Sequence, residues 1–404
     1  MPPVCAACRS VGCAMIVRQF LQWVRHASPG DRADATSALA RAYLHSDLSP
    51  DDIAAAEGAM IMLLDDPSPL VRRALSDVFA SSQCAPPIVV RALASDQPDI
   101  AGPVLERSPL LLDADLVDLV ATAQPDAQAA IASRFLLQRS VSAAIAEVGV
   151  AQACLALLEN PDAEITLGSL DRIIARFGHL AAIRENLMAR PDLPMASRQA
   201  LLAKLSQTLA GFVTSRHWLG QDDAAYAARE ACEKATVVLA ADTPYEQLGE
   251  LVRHLRESDQ LTAGLILRAL LSGNVVLFEE ALAELSGLGI ERVTSYVHDK
   301  NIGGFQALYL KAGLPNAAYP AFREAIAAMR DGILVGEQSG AARLKRRMIE
   351  RVLARCAQQA TDDIEPLLTL LRRLAVEAAR EEARMFCDDL VAAHPSNSYE
   401  RLVA

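Results

Sequence analysis

Apolar residues recur at spacings of three and four along most of this chain, with polar residues on the faces between. The sharpest case is Leu70, Val71, Ala74, Leu75, Val78 and Phe79, which fall on one side of a helix while Arg72, Arg73, Ser76 and Asp77 fall elsewhere. Runs of Val, Ile and Thr with period-two alternation are hard to find, so the pattern predicts helices and no sheet.

Short polar phrases punctuate the helical stretches. Gln97-Pro98-Asp99, Gln124-Pro125-Asp126, Asn160-Pro161-Asp162 and Arg190-Pro191-Asp192 each precede such a stretch, in steps of 27, 36 and 30 residues. That recurrence predicts stacked helical repeats. Ser28-Pro29-Gly30 marks a turn, and Ser49-Pro50-Asp51 places a capping residue before a first-turn proline. The segment Asp65-Asp66-Pro67-Ser68-Pro69-Leu70-Val71-Arg72 resembles the turn and helix start of a HEAT repeat. Ile100-Ala101-Gly102 and Ala127-Gln128-Ala129 stand where Val71-Arg72-Arg73 stood. An arginine–aspartate ladder between turns is therefore not expected, and the units are HEAT-like.

The repeats fade near Leu205, and the chain turns polar and aromatic through His217-Trp218-Leu219-Gly220. A boundary is placed there. The expected organisation is a flexible extension over 1–14, a HEAT-like α-solenoid over 15–209, a second all-helical domain over 210–335, and a C-terminal helical hairpin with a tail over 336–404. Within the second block, Ser272-Gly273-Asn274 reads as a glycine helix stop and Gly303-Gly304 as a turn. The hairpin helices are expected at about 339–360 and 364–393, joined at Thr361-Asp362-Asp363.

Composition supports the same class. Hydrophobic residues make up 52% of the 404 and aromatic ones 4%. An Ala- and Leu-dominated core suits closely packed helices. The net charge of −11 argues against a general nucleic-acid binder. No apolar run reaches the roughly 18–20 residues of a membrane span: Leu261 to Phe278 is interrupted by Arg268, Ser272, Gly273 and Asn274. The N-terminus lacks the order of a signal peptide, so the expected location is the cytoplasm. Met15 opens the first helical pattern and is a second candidate start. The eight cysteines are scattered and read as free thiols. Cys5, Cys8 and Cys13 lack a fourth ligand at zinc-site spacing, so no metal or other cofactor is expected.

Several phrases carry a family resemblance. Leu267-x-x-Leu270-x-x-Gly273, Phe278-Glu279-x-Ala281-Leu282-Ala283-x-Leu285, and Gly304-Phe305-x-Ala307-Leu308-Tyr309-x-Lys311-Ala312-Gly313-Leu314-Pro315 resemble the bacterial family called domain of unknown function 2336. Arg18-Gln19-Phe20 and the turn-helix of 66–79 fit it as well. The resemblance spans most of 15–335. It implies an uncharacterised, HEAT-like helical protein and brings no catalytic residues.

Candidate chemistry is sparse. His298-Asp299-Lys300 places a histidine near an acid, but at a helix end where consecutive side chains diverge. No two of the seven histidines stand four apart. The sequence thus predicts a non-enzymatic scaffold or adaptor that binds a protein partner along its solenoid surface. Its candidate contacts are Trp218 and a ladder of Arg343, Arg347, Arg351 and Arg355, four residues apart, flanked by Lys345 and Arg346. Like charges one helical turn apart repel by roughly 0.2–0.5 kcal/mol per pair, so acids must offset them. An antiparallel hairpin about residue 362 would set Arg343 near Glu381 and Arg347 near Glu377. The alternative is a regulator whose arginines hold an acidic partner or a phosphate-bearing ligand. The last hairpin is also the segment that could pair between two copies.

Overall fold

The computed structural model describes residues 22–24, 26–299, 302–330, 341–358 and 365–393, which form helices and connections with no strand. The N-terminal extension, the helix start at Met15 to Leu21 and the Thr361-Asp362-Asp363 joint lie outside these residues. The chain divides into two compact units, Met1–Pro191 and Asp192–Ala404. Residues 209 and 210, the boundary expected from the sequence, fall inside one helix.

The first unit contains α1 (Pro29–His45), α2 (Pro50–Leu63), α3 (Pro69–Phe79), α4 (Pro87–Ala94), α5 (Pro98–Arg107), α6 (Asp113–Thr122), α7 (Pro125–Ala132), α8 (Arg139–Val148), α9 (Ala151–Glu159), α10 (Leu167–Phe177) and α11 (Ala181–Ala189). Proline starts α1 to α5 and α7, where its missing N–H is no loss. The phrases at 160 and 190 instead close helices: α10 begins at Leu167, and the helix after Arg190 begins at Met195.

Most of these helices have 8–11 residues, below the roughly 12–15 at which an isolated helix is even marginal in water. Packing holds them. Helix α3 packs on α1 and α5, α5 on α7, α7 on α9, and α9 on α11; α6 packs on α8 and α8 on α10. Most elements thus meet the second one along the chain. On α3 the buried set is Val71, Leu75, Ser76 and Phe79, while Leu70 is exposed. Ser76, expected on a solvent face, instead donates to the Ile100 carbonyl of α5.

Polar cross-links follow the same neighbours. Arg32 forks onto Asp66 at 2.7 and 2.9 Å, and Arg72 onto Asp96 at 2.6 and 3.1 Å. So a ladder that the sequence argued against exists over the first two steps. Further along, the arginine moves to a helix end. Arg134 donates to the carbonyls of Leu105 and Ser108, and Arg176 to those of Ala146 and Gly149 at 2.7 Å each. These carbonyls close α5 and α8, where the helix itself offers no partner. Buried Gln128 donates to the Val120 carbonyl (2.8 Å) and accepts from the Val150 N–H (2.9 Å).

The second unit contains α12 (Met195–Ser215), α13 (Gln221–Ala241), α14 (Tyr245–Glu257), α15 (Ala263–Leu271), α16 (Val275–Ser286), α17 (Ile290–His298), α18 (Ile302–Lys311), a 3-10 turn, α19 (Tyr319–Arg330), α20 (Ala341–Gln358) and α21 (Glu365–Ala393). One apolar core runs from Val237 to Ala378. Its centre is aromatic: Phe278 stacks on Phe322 at 6.1 Å, and Tyr309 lies 5.4 Å from Phe322. Gly273 and Gly287 take left-handed φ of 80° and 67° at the ends of α15 and α16. Gly303 and Gly304 are not a turn but sit in the first turn of α18. A Cβ at Gly304 would stand 2.9 Å from the Tyr296 ring of α17, so this close approach requires glycine.

Replacing Gln128 with Leu removes both cross-links and strands a buried carbonyl, so about 1–3 kcal/mol of stability should be lost. Urea unfolding of the full chain measures it, and an unchanged midpoint would show that the bridge contributes nothing.

Candidate interaction surface

The arginine ladder lies on α20, which packs along α21 as the expected antiparallel hairpin. The pairing differs by residue. Lys345 takes Glu381 at 2.8 Å, and Arg346 takes Glu382 at 3.1 Å and Glu350 at 2.7 Å. Arg343 does not meet Glu381, nor Arg347 Glu377. Met348, Ile349, Val352 and Cys356 set the buried side of α20. Arg343 stands two residues from Lys345, about 200° around the helix, which turns it to solvent. Arg343, Arg347 and Arg355 are exposed and make no ion pair among the described residues. Arg351 is half-buried and has an interaction of its own.

Glu377 is held from outside the hairpin. Arg268 of α15 reaches it at 2.7 Å and Lys234 of α13 at 2.7 Å. The Arg268 side chain is 5% exposed, in a helix whose residues Leu265 to Leu271 are all buried. Glu230 of α13 stands 3.6 Å from Arg268 and 2.9 Å from Arg373, and Arg373 lies over the Tyr226 ring. These charges fasten α13, α15 and α21 together. Burial alone would push the Glu377 carboxyl up, but the hydrogen bonds and charges of Lys234 and Arg268 outweigh it and hold the group below its ordinary value.

Trp218 sits on the turn between α12 and α13 and is 67% exposed. Its ring meets Phe212 edge-on at 5.8 Å, and the Arg216 guanidinium lies over Phe212. His217 enters this turn with a left-handed φ of 57°. Leu209 and Leu219 extend the exposed apolar tip.

Beside this hairpin lies a cleft of about 920 Å³, lined by Ala203, Ala210, Gly211, Ala225, Ala228 and the loop 258–262. Gln199, fully buried, donates to Gln260 at 2.7 Å and accepts from His254 at 3.1 Å. Thr262 donates to Glu233 at 2.7 Å. Burial pushes the Cys232 thiol up, so it stays protonated and serves as a weak hydrogen-bonding group. The sequence reading did not find this cleft; its only trace was the run of Ala and Gly on α12 and α13.

His298, the other sequence candidate, ends α17. Its Nε2 lies 2.8 Å from Glu279, which also accepts from Thr294. Lys300 is outside the described residues. No group of three metal-ligating side chains occurs among the described residues, and no described helix is long and apolar enough to cross a membrane. Cys5, Cys8 and Cys13 fall outside them.

The family model for an uncharacterised protein conserved in bacteria, DUF2336, matches residues 100–362. The chain belongs to this family. The span runs from α5 to just past α20, so Arg18-Gln19-Phe20 and the turn-helix of 66–79 lie before the DUF2336 match, while the phrases at 267–285 and 304–315 lie within it. No curated protein and no solved structure matches the chain.

Glu377 generates a pH prediction. The carboxyl titrates at the ordinary 4.5 in the unfolded chain and lower in the fold. Its stabilisation is therefore complete above about pH 4.5 and is lost as pH falls through the folded value. Glu377→Gln should cost about 3 kcal/mol at pH 7 by leaving Arg268 without its nearest acid. Urea titrations from pH 7 to pH 3 should show that gap closing below pH 4.5. A gap constant across that range would rule out the charge as its source.

Proposed function

We propose that the protein is a non-catalytic scaffold that binds a protein partner along an α-solenoid surface built from HEAT-like units. The observation that carries this reading is the second-neighbour packing: α1, α3, α5, α7, α9 and α11 follow one another, as do α6, α8 and α10. Such a chain of contacts gives each helix pair a buried side and leaves successive helix faces in an extended row, the form solenoids use to hold partners. The exposed tip of Trp218, Leu209 and Leu219 is the first contact we assign, because large aromatics on a rigid turn lose little entropy on binding.

A second reading has its own support. Lys345 and Arg346 take Glu381 and Glu382 of α21, while Arg343, Arg347 and Arg355 are exposed without an ion pair among the described residues. An acidic partner, or a small ligand carrying phosphate, would satisfy them through charge-assisted hydrogen bonds.

The test places a photo-reactive residue at 218, at 347 or at the exposed position 112 in the native cell. The scaffold reading expects a discrete protein adduct from 112, which stands on the helix row of the first unit, or from 218, and the arginine contact expects one from 347. Absence of any adduct, together with a phosphate compound that raises the melting temperature until Arg347 and Arg351 become Ala, would replace the scaffold with a ligand receptor. For the arginine contact, Arg343→Glu with Arg355→Glu should abolish the 347 adduct while changing stability by less than about 0.5 kcal/mol; a retained adduct would exclude these side chains.

A further inference from the structure

A cavity of about 710 Å³ lies between α13 and α21 in the second unit. Glu230 and Lys234, four apart on α13, form one wall. On α21, Arg373, Arg380 and Arg384 fall within about 40° of one another around the helix axis, and all three line the cavity. Val376 and Met385, 54% and 50% exposed, line it on either side of that stripe.

The charges around this cavity do not balance. Glu377 is taken by Arg268 and Lys234, Glu230 by Arg373, and Glu381 by Lys345. Each acid of the wall thus has a cation of its own. Arg380 and Arg384 come in addition: both are exposed, and neither makes an ion pair among the described residues. Asp388, one turn beyond Arg384, pairs with neither and does not line the cavity. Six cations therefore surround three carboxylates, in a chain whose net charge is −11. Arg268 strengthens the excess. Its side chain is 5% exposed, and its Nε and Nη2 have no hydrogen-bond acceptor among the described residues. A charge set that deep is poorly screened by salt, and a cleft concentrates its field.

The residue type narrows what such a field would hold. An arginine fork offers two parallel N–H donors to two oxygens, and forks one helical turn apart can share one tetrahedral group. The unpaired cations here are both arginines, at that spacing. An excess of this size suits a dianion better than a single carboxylate. Val376 and Met385 leave apolar surface beside the stripe for the body that carries the charged group, and methionine adapts its shape to what it meets.

We propose that this groove binds a phosphate monoester, gripped by Arg380 and Arg384, with its organic part against Val376 and Met385. The site is separate from the exposed arginines of α20 and does not rest on the scaffold reading. A soluble phosphate ester and a phosphatidic acid headgroup offer this same chemistry.

Phenyl phosphate titrated calorimetrically into the full chain should bind one to one, and at least about tenfold tighter than benzoate. Arg380→Gln with Arg384→Gln should weaken that binding at least about tenfold. Helical content and melting should be retained, because both side chains are exposed and unpaired. Arg380→Lys with Arg384→Lys keeps the charge and loses the forks, so it should recover only part of the affinity. Arg343→Gln with Arg347→Gln should leave it unchanged. Phosphatidylcholine vesicles with and without phosphatidic acid separate the two sources. Retention on the phosphatidic acid vesicles that both glutamines abolish would put the phosphate on a lipid, and binding of phenyl phosphate alone would put it on a soluble ester. Binding of neither probe overturns the proposal, as does binding that survives the loss of Arg380 and Arg384. Benzoate held as tightly as phenyl phosphate overturns the phosphate assignment. Binding lost through Arg343 and Arg347 instead would move the site to α20.

Discussion

Shared burial is the constraint on which the first unit depends. Helices of eight to eleven residues gain too few hydrogen bonds to offset the cost of nucleating them. Burying a Val, Leu or Phe side chain contributes about 1.5–3 kcal/mol, and α3 buries three such residues, Val71, Leu75 and Phe79. One face against one neighbour therefore outweighs what the helix lacks alone. The same requirement explains the cross-links. A short helix is mostly ends, and each end leaves carbonyls or N–H groups open. Arg134, Arg176 and Gln128 reach from one element to close the open groups of another, so packing and end-satisfaction are done by the same neighbours.

In the second unit a charge takes a comparable place. Arg268 stands in the middle of α15, a helix buried on every side. A guanidinium there is costly unless its charge is balanced. Glu377 accepts from one of its nitrogens at 2.7 Å and Glu230 stands 3.6 Å from another, so two other helices balance its charge, and Lys234 and Arg373 balance those acids in turn. The arrangement fixes which turn of α21 lies against α13 and α15, since sliding α21 by one residue would take Glu377 away from Arg268. Apolar contacts tolerate such slippage far better. The register of the terminal hairpin thus follows from a contact made outside it.

Much of this was legible in the sequence, and the limits have physical reasons. Helix positions followed from three-four spacing and from proline and capping residues, because those signals act within one turn. Ser49 and Ser28 cap as their spacing implies. What failed involved the choice of partner across space. Glu377 looked available to Arg347 because hairpin geometry alone sets the two level; only tertiary packing shows that Arg268 reaches it first. The break that Arg268 makes in the apolar run 261–278 was visible, yet nothing local says whether such a break ends a membrane span or anchors a core. Ser76 misled in the same way: its hydroxyl reads as solvent-facing until the Ile100 carbonyl of α5 stands above it. The cleft beside α12 and α13 left no motif, since alanines that permit close helix packing and alanines that line a space are the same residue.

Helix length connects these observations to the surfaces. The short helices are covered by neighbours of matching length and expose single scattered apolar side chains, which is ordinary for a folded chain. The long ones outrun some of their neighbours. Helices α12 and α13 have 21 residues, while α14 and α15, which pack on them, have 13 and 9. Helix α21 has 29 and its hairpin partner 18. In both places large apolar side chains gather where the shorter neighbours stop: Phe212, Trp218 and Leu219 at one, Phe386, Leu390 and Val391 at the other. Extra turns of helix that bury nothing within their own chain cost conformational entropy without return. Contacts with other molecules are the means by which such turns recover that cost, and the Trp218 surface argued for above lies at one of these overhangs.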